Sequence, residues 1–310
     1  MRLLLRNKSW SILALILLVV ALPGRPAFAQ SIRAIATWPA LADITKHIGK
    51  ELVNVESLAT GVEDPHGVPV KPSFVPRLNR ANVLVLTGLD DEHSWLPALL
   101  EVASNPKIMP GQPGYIDCSA GIPVVDAPAR LDRAEGDLHP KGNPHYLLDP
   151  VRAKTVAQNI AAGLARNFPQ HQAAFDRNLK AYLAELDDWI GRWQKIAVPL
   201  KGVKFVEYHP EWAYFANRFG MTRVGSVEIK PGIEPTPNYL VRLVQEIKEQ
   251  KAQVLLYGAQ NPRLPQQIAG ETGIKVLRLY SSGGGRPETD TYIKWIDYTV
   301  RTLVDAVANG

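Results

Sequence analysis

A long amphipathic helix near the middle of the chain constrains the fold more than any other feature of the sequence. Between about residues 170 and 194, large apolar side chains recur at intervals of three and four, and no proline interrupts the segment after Pro169. These side chains are Phe175, Leu179, Tyr182, Leu183, Leu186, Trp189, Ile190 and Trp193. The spacing places them on one face of a helix. We expect a rigid spine that joins two parts of the protein and packs its aromatic face in the core.

Short apolar segments alternate with helical segments on both sides of this spine. Strand-like segments occur at 32–37, 53–58 and 83–87 before it, and at 203–208, 223–229, 253–257 and 275–280 after it. Helical segments occur at 40–52, 72–81, 238–250 and 264–272. Such alternation is typical of parallel sheets that are covered on both faces. We therefore predict an α/β protein with one lobe at 30–168, a linking helix at 169–196 and a second lobe at 197–310.

The first 29 residues have the composition of a secretory signal. Three basic residues precede the apolar run at 10–22, and the small residues Ala27 and Ala29 follow it. Cleavage after Ala29 would release the mature protein into the periplasm. An uncleaved membrane anchor is the alternative, but the apolar run is short for a helix that spans a bilayer.

Removal of this segment leaves a protein of nearly neutral charge. The segment holds four basic residues and no acid, so the formal charge falls from +5 to +1. No basic stripe remains that would indicate a nucleic-acid partner. Cys118 is the only cysteine, which excludes an intramolecular disulfide and leaves no cysteine for lipid attachment near the cleavage site. These features predict a soluble periplasmic protein, and we expect it to be a monomer.

Three of the seven histidines stand next to a proline at the end of an apolar segment. They are His66 in EDPHGVP, His145 in GNPHYLLDP and His209 in FVEYHPEW. Ligands of open α/β sheets bind at the carboxyl ends of the strands, and a neighbouring proline stiffens a loop before its ligand arrives. Three imidazoles that converge there would form a zinc-type ligand set, with Glu63, Asp64 and Glu207 as hydrogen-bond acceptors that orient them. Three unrelated loop histidines are the alternative, because no local motif joins them.

Three longer blocks of sequence resemble the zinc- and manganese-binding solute receptors of bacterial ABC transporters. The blocks lie at 64–100, 136–164 and 207–248, and the likeness extends over residues 32–307. It implies two α/β lobes with mainly parallel four-stranded sheets, joined by one long rigid helix, and a metal site in the cleft between the lobes. It also implies a binding protein rather than an enzyme, whose partner is the membrane permease of a metal ABC transporter.

The same resemblance implies a set of metal ligands. His66 and His145 would bind the metal from the first lobe, and His209 would bind it from the second. The family often has an aspartate at the end of its last strand as the fourth ligand, where this chain has a tyrosine. The candidates for the fourth position are therefore water, Tyr280, His139, Glu63 and Glu207.

The donor set bears on both the metal and the class of function. Three histidines without an obvious carboxylate favour Zn²⁺ over Mn²⁺, because imidazole suits zinc whereas carboxylate suits manganese. A secreted zinc hydrolase is one alternative, since three histidines and a water molecule also form catalytic sites. The sequence lacks an HExxH motif, and only Glu207 and Glu211 flank His209 as candidate general bases. A receptor for a metal chelate or siderophore is the other alternative.

Overall fold

The alternating segments form two four-stranded sheets in the computed structural model, which describes residues 31–127, 140–228 and 232–308. The predicted signal segment and His139 lie outside these residues. The first sheet contains β1 (Ile32–Ala36), β2 (Val53–Ser57), β3 (Val83–Leu86) and β4 (Tyr115–Asp117), in the spatial order β2-β1-β3-β4. The second contains β5 (Lys204–Glu207), β6 (Thr222–Ser226), β7 (Val254–Tyr257) and β8 (Lys275–Arg278), in the order β6-β5-β7-β8. Every pair of these strands is parallel, which confirms the predicted fold class.

Helices connect the strands and cover the sheets. They are α1 (Pro39–Gly49), α2 (Phe74–Asn79), α3 (Leu96–Ala103), α4 (Pro150–Asn167), α5 (Gln172–Ile196), α6 (Ala213–Phe219), α7 (Pro237–Gln250), α8 (Arg263–Thr272) and α9 (Tyr292–Ala308). Two of them begin at an oxygen-bearing cap followed by proline: Asp149 accepts the main-chain N–H of Val151 before α4, and Thr236 caps α7 in the same way. In the part of the chain described, no helix has the length and apolar character needed to cross a membrane.

The predicted spine is α5, a helix of 25 residues and about 37 Å at a rise of 1.5 Å per residue. Its buried side chains are Phe175, Tyr182, Leu186, Ile190 and Trp193, all from the apolar face that the sequence indicates. The helix packs against α1, α4 and α9. The aromatic face is therefore core, as expected.

The last helix, α9, packs against elements of the first lobe. α9 follows the strands of the second sheet, yet it contacts both α1 and α5. The main-chain N–H of Tyr292 donates to Asp43 of α1 at 2.9 Å, and the Tyr292 hydroxyl donates to the carbonyl of Leu147 at 2.8 Å. α9 therefore fastens the carboxyl-terminal part of the chain to elements of the first lobe. The division of the lobes at residues 168 and 196 stays a prediction.

Several local differences separate the structure from the sequence expectation, among them β6, which ends at Ser226 and not at residue 229. The sequence predicts no strand at Tyr115–Asp117, because three residues at a sheet edge, directly after Pro113 and Gly114, are too few to show a period. The last predicted strand also ends earlier than expected, since β8 stops at Arg278. Tyr280 therefore lies in the loop beyond the strand.

Candidate metal centre

The three proline-flanked histidines all follow the carboxyl ends of strands. His66 lies in the loop between β2 and α2, and His145 lies in the segment between β4 and α4. His209 comes two residues after β5 and directly before the turn into α6. The two sheets thus present their ligand-binding edges to one another, as the strand-end rule for open α/β sheets leads us to expect.

The structure brings these three imidazoles together. One ring nitrogen of each lies within 4.8 Å of those of the other two, and the Nε2 atoms of His66 and His209 are 3.3 Å apart. The ring centroids are separated by 5.1, 5.5 and 5.9 Å. A tetrahedral zinc ion with bonds of about 2.0–2.1 Å holds its ligand atoms about 3.3–3.4 Å apart. The His66–His209 pair already has this spacing, and the cluster fits a small ion with nitrogen ligands once the remaining ring nitrogens close in from within 4.8 Å.

The loop that carries His66 is held from three sides. The main-chain N–H of His66 donates to Asp64 at 2.9 Å, so Asp64 braces the turn. The indole N–H of Trp95 donates to the carbonyl of Pro65 at 3.1 Å, and the Ser94 hydroxyl donates to the carbonyl of His66. These bonds add to the stiffness of the proline, so the imidazole is positioned before an ion arrives.

His209 has an acidic partner that the sequence analysis did not single out. Its Nδ1 lies 3.0 Å from Oε2 of Glu228, in the loop after β6. A carboxylate on Nδ1 fixes the tautomer and leaves Nε2 as the atom that faces an ion. Both His209 and His145 are buried, with 5% and 6% of their surface exposed. Glu228 could have been found as an acid that follows a strand at the same edge as His209.

The environment separates the proton affinities of the two closest imidazoles. Burial, together with the nearby His209, lowers the pKa of His66 to about 4. Burial also opposes a charge on His209, but its hydrogen bond with Glu228 and the surrounding acids outweigh this and raise its pKa. Of these two imidazoles, His209 therefore takes up a proton more readily than His66.

Two of the acids proposed for the fourth position are used elsewhere. Glu63 accepts the main-chain N–H groups of Thr60 and Gly61 at 2.9 and 3.0 Å. Glu207 is fully buried and receives hydrogen bonds from Trp212, Arg223 and Ser226 at 2.9–3.0 Å. Neither belongs to the group of ligand atoms within 4.8 Å, which among the described residues consists of the three histidines. Glu63 and Glu207 therefore brace the turns at which the ligand loops begin.

Tyr280, another candidate for the fourth position, and the acid Glu211 have different surroundings. The Tyr280 ring lies 5.2 Å from the guanidinium of Arg278, and its carbonyl accepts the indole N–H of Trp295. Glu211 is 2% exposed and lies beside His209 and the hydroxyl of Ser281. Burial raises the pKa of Glu211 to about 7. Glu211 is therefore a deeply buried acid that lies next to the candidate ligand His209.

Comparison with known proteins assigns the family. The profile of the family described as ZnuA, zinc-uptake complex component A periplasmic, matches residues 35–306. The chain belongs to this family. The ZnuA-family assignment confirms the resemblance drawn from the three sequence blocks. The family is one of solute-binding receptors that serve metal uptake systems.

Relatives of this ZnuA-family chain differ in the metal that their names state. It is 23% identical over 312 residues to the high-affinity zinc uptake system protein ZnuA of Bacillus subtilis (strain 168), with 96% of each chain covered. It is also 23% identical over 307 residues to the manganese ABC transporter substrate-binding lipoprotein PsaA of Streptococcus mitis, again with 96% of each covered. A crystal structure of ZnuA superposes with a TM-score of 0.75 at 26% identity, covering 90% of this chain and 100% of that one. A zinc-bound ZnuA deletion mutant gives 0.74 at 27% identity, covering 89% and 98%.

Proposed function

We propose that this protein captures Zn²⁺ in the periplasm through His66, His145 and His209 and delivers it to the permease of an ABC transporter. The observation that carries the proposal is the convergence of three imidazole nitrogens within 4.8 Å, contributed by loops of both sheets. The secretory signal predicted at 1–29 supports the periplasmic location, as does the family description.

The ligand types favour zinc within a family whose members include manganese receptors. The group within 4.8 Å offers three nitrogen ligands and, in the described residues, no carboxylate oxygen. Imidazole suits zinc, and the general affinity order for divalent ions also places zinc above manganese. Glu228 acts through His209 instead of contacting the ion, which is the arrangement that raises the basicity of an imidazole ligand.

The surroundings of the centre support binding without catalysis. A catalytic zinc site keeps an open position for water and a general base beside it. Glu207, one of the two acids that the sequence offered as a base, has its carboxylate occupied by three hydrogen bonds. Glu211, the other, is 2% exposed, so a substrate large enough to be hydrolysed would not reach it in this arrangement.

Zinc uptake by cells tests the proposal. In a host that lacks its own copy, the wild-type chain is expected to restore uptake of radioactive zinc and growth in the presence of a chelator. The His145→Ala variant is expected to restore neither, while export and folding are checked by the amount of protein in the periplasm. Full restoration by His145→Ala at equal protein level would contradict the proposal.

Acid is expected to weaken zinc binding from near neutral pH downwards. The hydrogen bond with Glu228 raises the pKa of His209, so protons begin to compete with the ion above the ordinary histidine pKa. Glu228→Gln removes this effect and should move the loss of affinity to lower pH. At high pH the same variant should bind zinc about 10- to 100-fold more weakly, because the imidazole loses its acidic partner.

Titration of zinc affinity between pH 5.5 and 8 checks the Glu228→Gln prediction. Glu234→Gln is the matched control, since Glu234 is an exposed acid in the same loop. Parallel curves for the wild type and Glu228→Gln would show that Glu228 does not set the proton affinity of His209.

The buried acid Glu211 is expected to assist binding through its charge. Its pKa of about 7 means that the charge is present above pH 7 and is lost as the pH falls through 7. Glu211→Gln should therefore weaken zinc binding by about 10-fold at pH 8 and by much less at pH 6. Competition titrations at the two pH values measure this, and an equal loss at both would exclude a role for the charge.

A further inference from the structure

We propose that Asn143 is a positioning residue that fixes the separation of His145 and His209 and thereby favours Zn²⁺ over Mn²⁺. The inference rests on the proposed function, since it concerns the same three imidazoles. Asn143 stands two residues before His145 and is buried, with 6% of its surface exposed. Its role is to hold the two ligands, and its own side chain is occupied by the bonds described next.

The four polar groups of Asn143 each have a partner. Its Oδ1 accepts the main-chain N–H of His145 at 3.0 Å, and its Nδ2 donates to the carbonyl of Pro210 at 2.9 Å. Pro210 directly follows His209, so one side chain joins the backbone of His145 to that of the residue after His209. The Asn143 main-chain N–H donates to Val125 at 2.9 Å, and its carbonyl accepts the Tyr214 hydroxyl at 2.7 Å. The residue therefore joins the segment before α4 to the segment between β5 and α6.

Tyr214 also holds Asn143 in position. Its hydroxyl accepts the main-chain N–H of Val125 at 3.2 Å while it donates to Asn143. Its ring is covered by the guanidinium of Arg152, with 4.6 Å between the guanidinium carbon and the ring centroid. Since Tyr214 belongs to α6, which begins four residues after His209, this arrangement ties the helix to the loop of His145.

A second tie joins the same two segments, and it reaches Tyr214 through Arg152, which bonds Asp149 and covers the Tyr214 ring. Arg218 of α6 donates from Nε and Nη2 to the two oxygens of the fully buried Asp149, at 2.7 and 3.0 Å. Asp149 caps α4 and contacts neither His145 nor His209 through the bonds described above. This pair secures the junction as a whole, which makes it a control for the local effect of Asn143.

A fixed ligand spacing selects between ions by geometry. Selectivity among divalent metals in proteins comes from geometry and ligand type more than from raw affinity. Two imidazoles that Asn143 holds with ring nitrogens within 4.8 Å of each other suit a small ion. An ion that needs longer bonds and more ligands would have to push the two segments apart against the bonds from Asn143. Loosening Asn143 should therefore reduce zinc affinity while leaving manganese affinity nearly unchanged.

Three variants of the full mature chain test the proposal. In Asn143→Ser the hydroxyl can still accept the His145 N–H but is too short to reach Pro210. Tyr214→Phe removes the hydroxyl that holds Asn143 in position and keeps the ring. We expect this variant to retain the fold, so it tests the proposal even if Asn143→Ser folds poorly. Arg218→Lys keeps the positive charge that pairs with Asp149 and loses one of the two hydrogen bonds to it. Affinities for Zn²⁺ and Mn²⁺ are measured by competition, and the visible spectrum of bound Co²⁺ reports the geometry.

We expect Asn143→Ser to bind zinc about 10- to 100-fold more weakly, which is the usual effect of removing a residue that orients a metal ligand. The ratio of zinc affinity to manganese affinity should therefore fall. The Co²⁺ bands should lose intensity as the site departs from a tetrahedron, and Tyr214→Phe should change in the same direction. Arg218→Lys should lower the Tm without changing the ratio or the spectrum. An unchanged ratio and spectrum in Asn143→Ser, or the same change in Arg218→Lys, would overturn the proposal. Absence of metal binding in the wild type would instead contradict the proposed function.

Discussion

Replacing His209 with alanine is expected to weaken zinc binding by about 100- to 1,000-fold. Structural zinc sites bind with about 10–16 kcal/mol, so an even share for one of about four ligands is about 3–4 kcal/mol, or two to three powers of ten. The loss should be large at this position because His209 is buried, lies 3.3 Å from His66 and is oriented by Glu228. Competition titration against a chelator of known affinity measures the change.

A histidine outside the cluster provides the control for this variant. His171 lies at the start of the spine, where its ring contacts Phe175, and it is not part of the three-imidazole group. His171→Ala should bind zinc like the wild type. If His171→Ala and His209→Ala lost affinity equally, zinc would not be bound by the imidazole cluster, and the ligand assignment would be wrong.

Gly284→Ala is expected to destabilise the protein and to weaken zinc binding together. Gly284 has a φ of 84°, and a Cβ there would lie 2.5 Å from the carbonyl of Thr60 and 2.7 Å from the Pro39 ring. A Cβ on Gly61 would lie 1.6 Å from the carbonyl oxygen of the neighbouring Gly283, so two stretches of bare backbone touch where the loop of His66 begins. A methyl group must push these stretches apart and carry the loop with it.

Strain and crowding set the size of the Gly284→Ala effect. A left-handed backbone costs an alanine about 1–2 kcal/mol, and an added methyl in a packed region costs about 1–3 kcal/mol more. Gly273→Ala is a matched control, because Gly273 has a φ of 73° and open space around a Cβ. We expect denaturant unfolding to show a loss of about 1–2 kcal/mol for Gly273→Ala with normal zinc affinity.

For Gly284→Ala we expect a loss of about 2–5 kcal/mol and a clearly lower zinc affinity. Equal stability losses in the two glycine variants would mean that the contact with Thr60 and Pro39 yields without strain. Normal zinc affinity in a destabilised Gly284→Ala would mean that the position of His66 is independent of this contact.

Local sequence signals predict the parts of this molecule that depend on local chemistry. The period of Phe175, Tyr182 and Trp193 gives the spine, because burying one face of a helix requires that spacing. The proline beside each of the three histidines indicates a stiff loop at a strand end, and parallel strands bring such ends to one edge. These two rules make a common site one possibility, and the resemblance to the receptor family implies that His66, His145 and His209 share it.

Contacts between distant loops could not be predicted in this way. The pairing of His209 with Glu228, the bond from Asn143 to Pro210 and the backbone contact of Gly61 with Gly283 each join separate loops. No propensity of the individual residues encodes them, since they depend on how the loops are placed relative to each other. Glu63 and Glu207 illustrate the opposite case. Their sequence positions near candidate histidines suggest a role at the metal, whereas in the structure their carboxylates accept hydrogen bonds from other groups.

Competition of Zn²⁺ with Mn²⁺ for the chelator-stripped mature protein tests the central claim most directly. Calorimetry against a chelator of known affinity should show one zinc ion bound tightly per chain and manganese bound orders of magnitude more weakly, as a centre of three imidazoles requires. Equal or preferential binding of manganese would contradict a zinc centre made of His66, His145 and His209. Failure to bind either ion would contradict the metal centre itself.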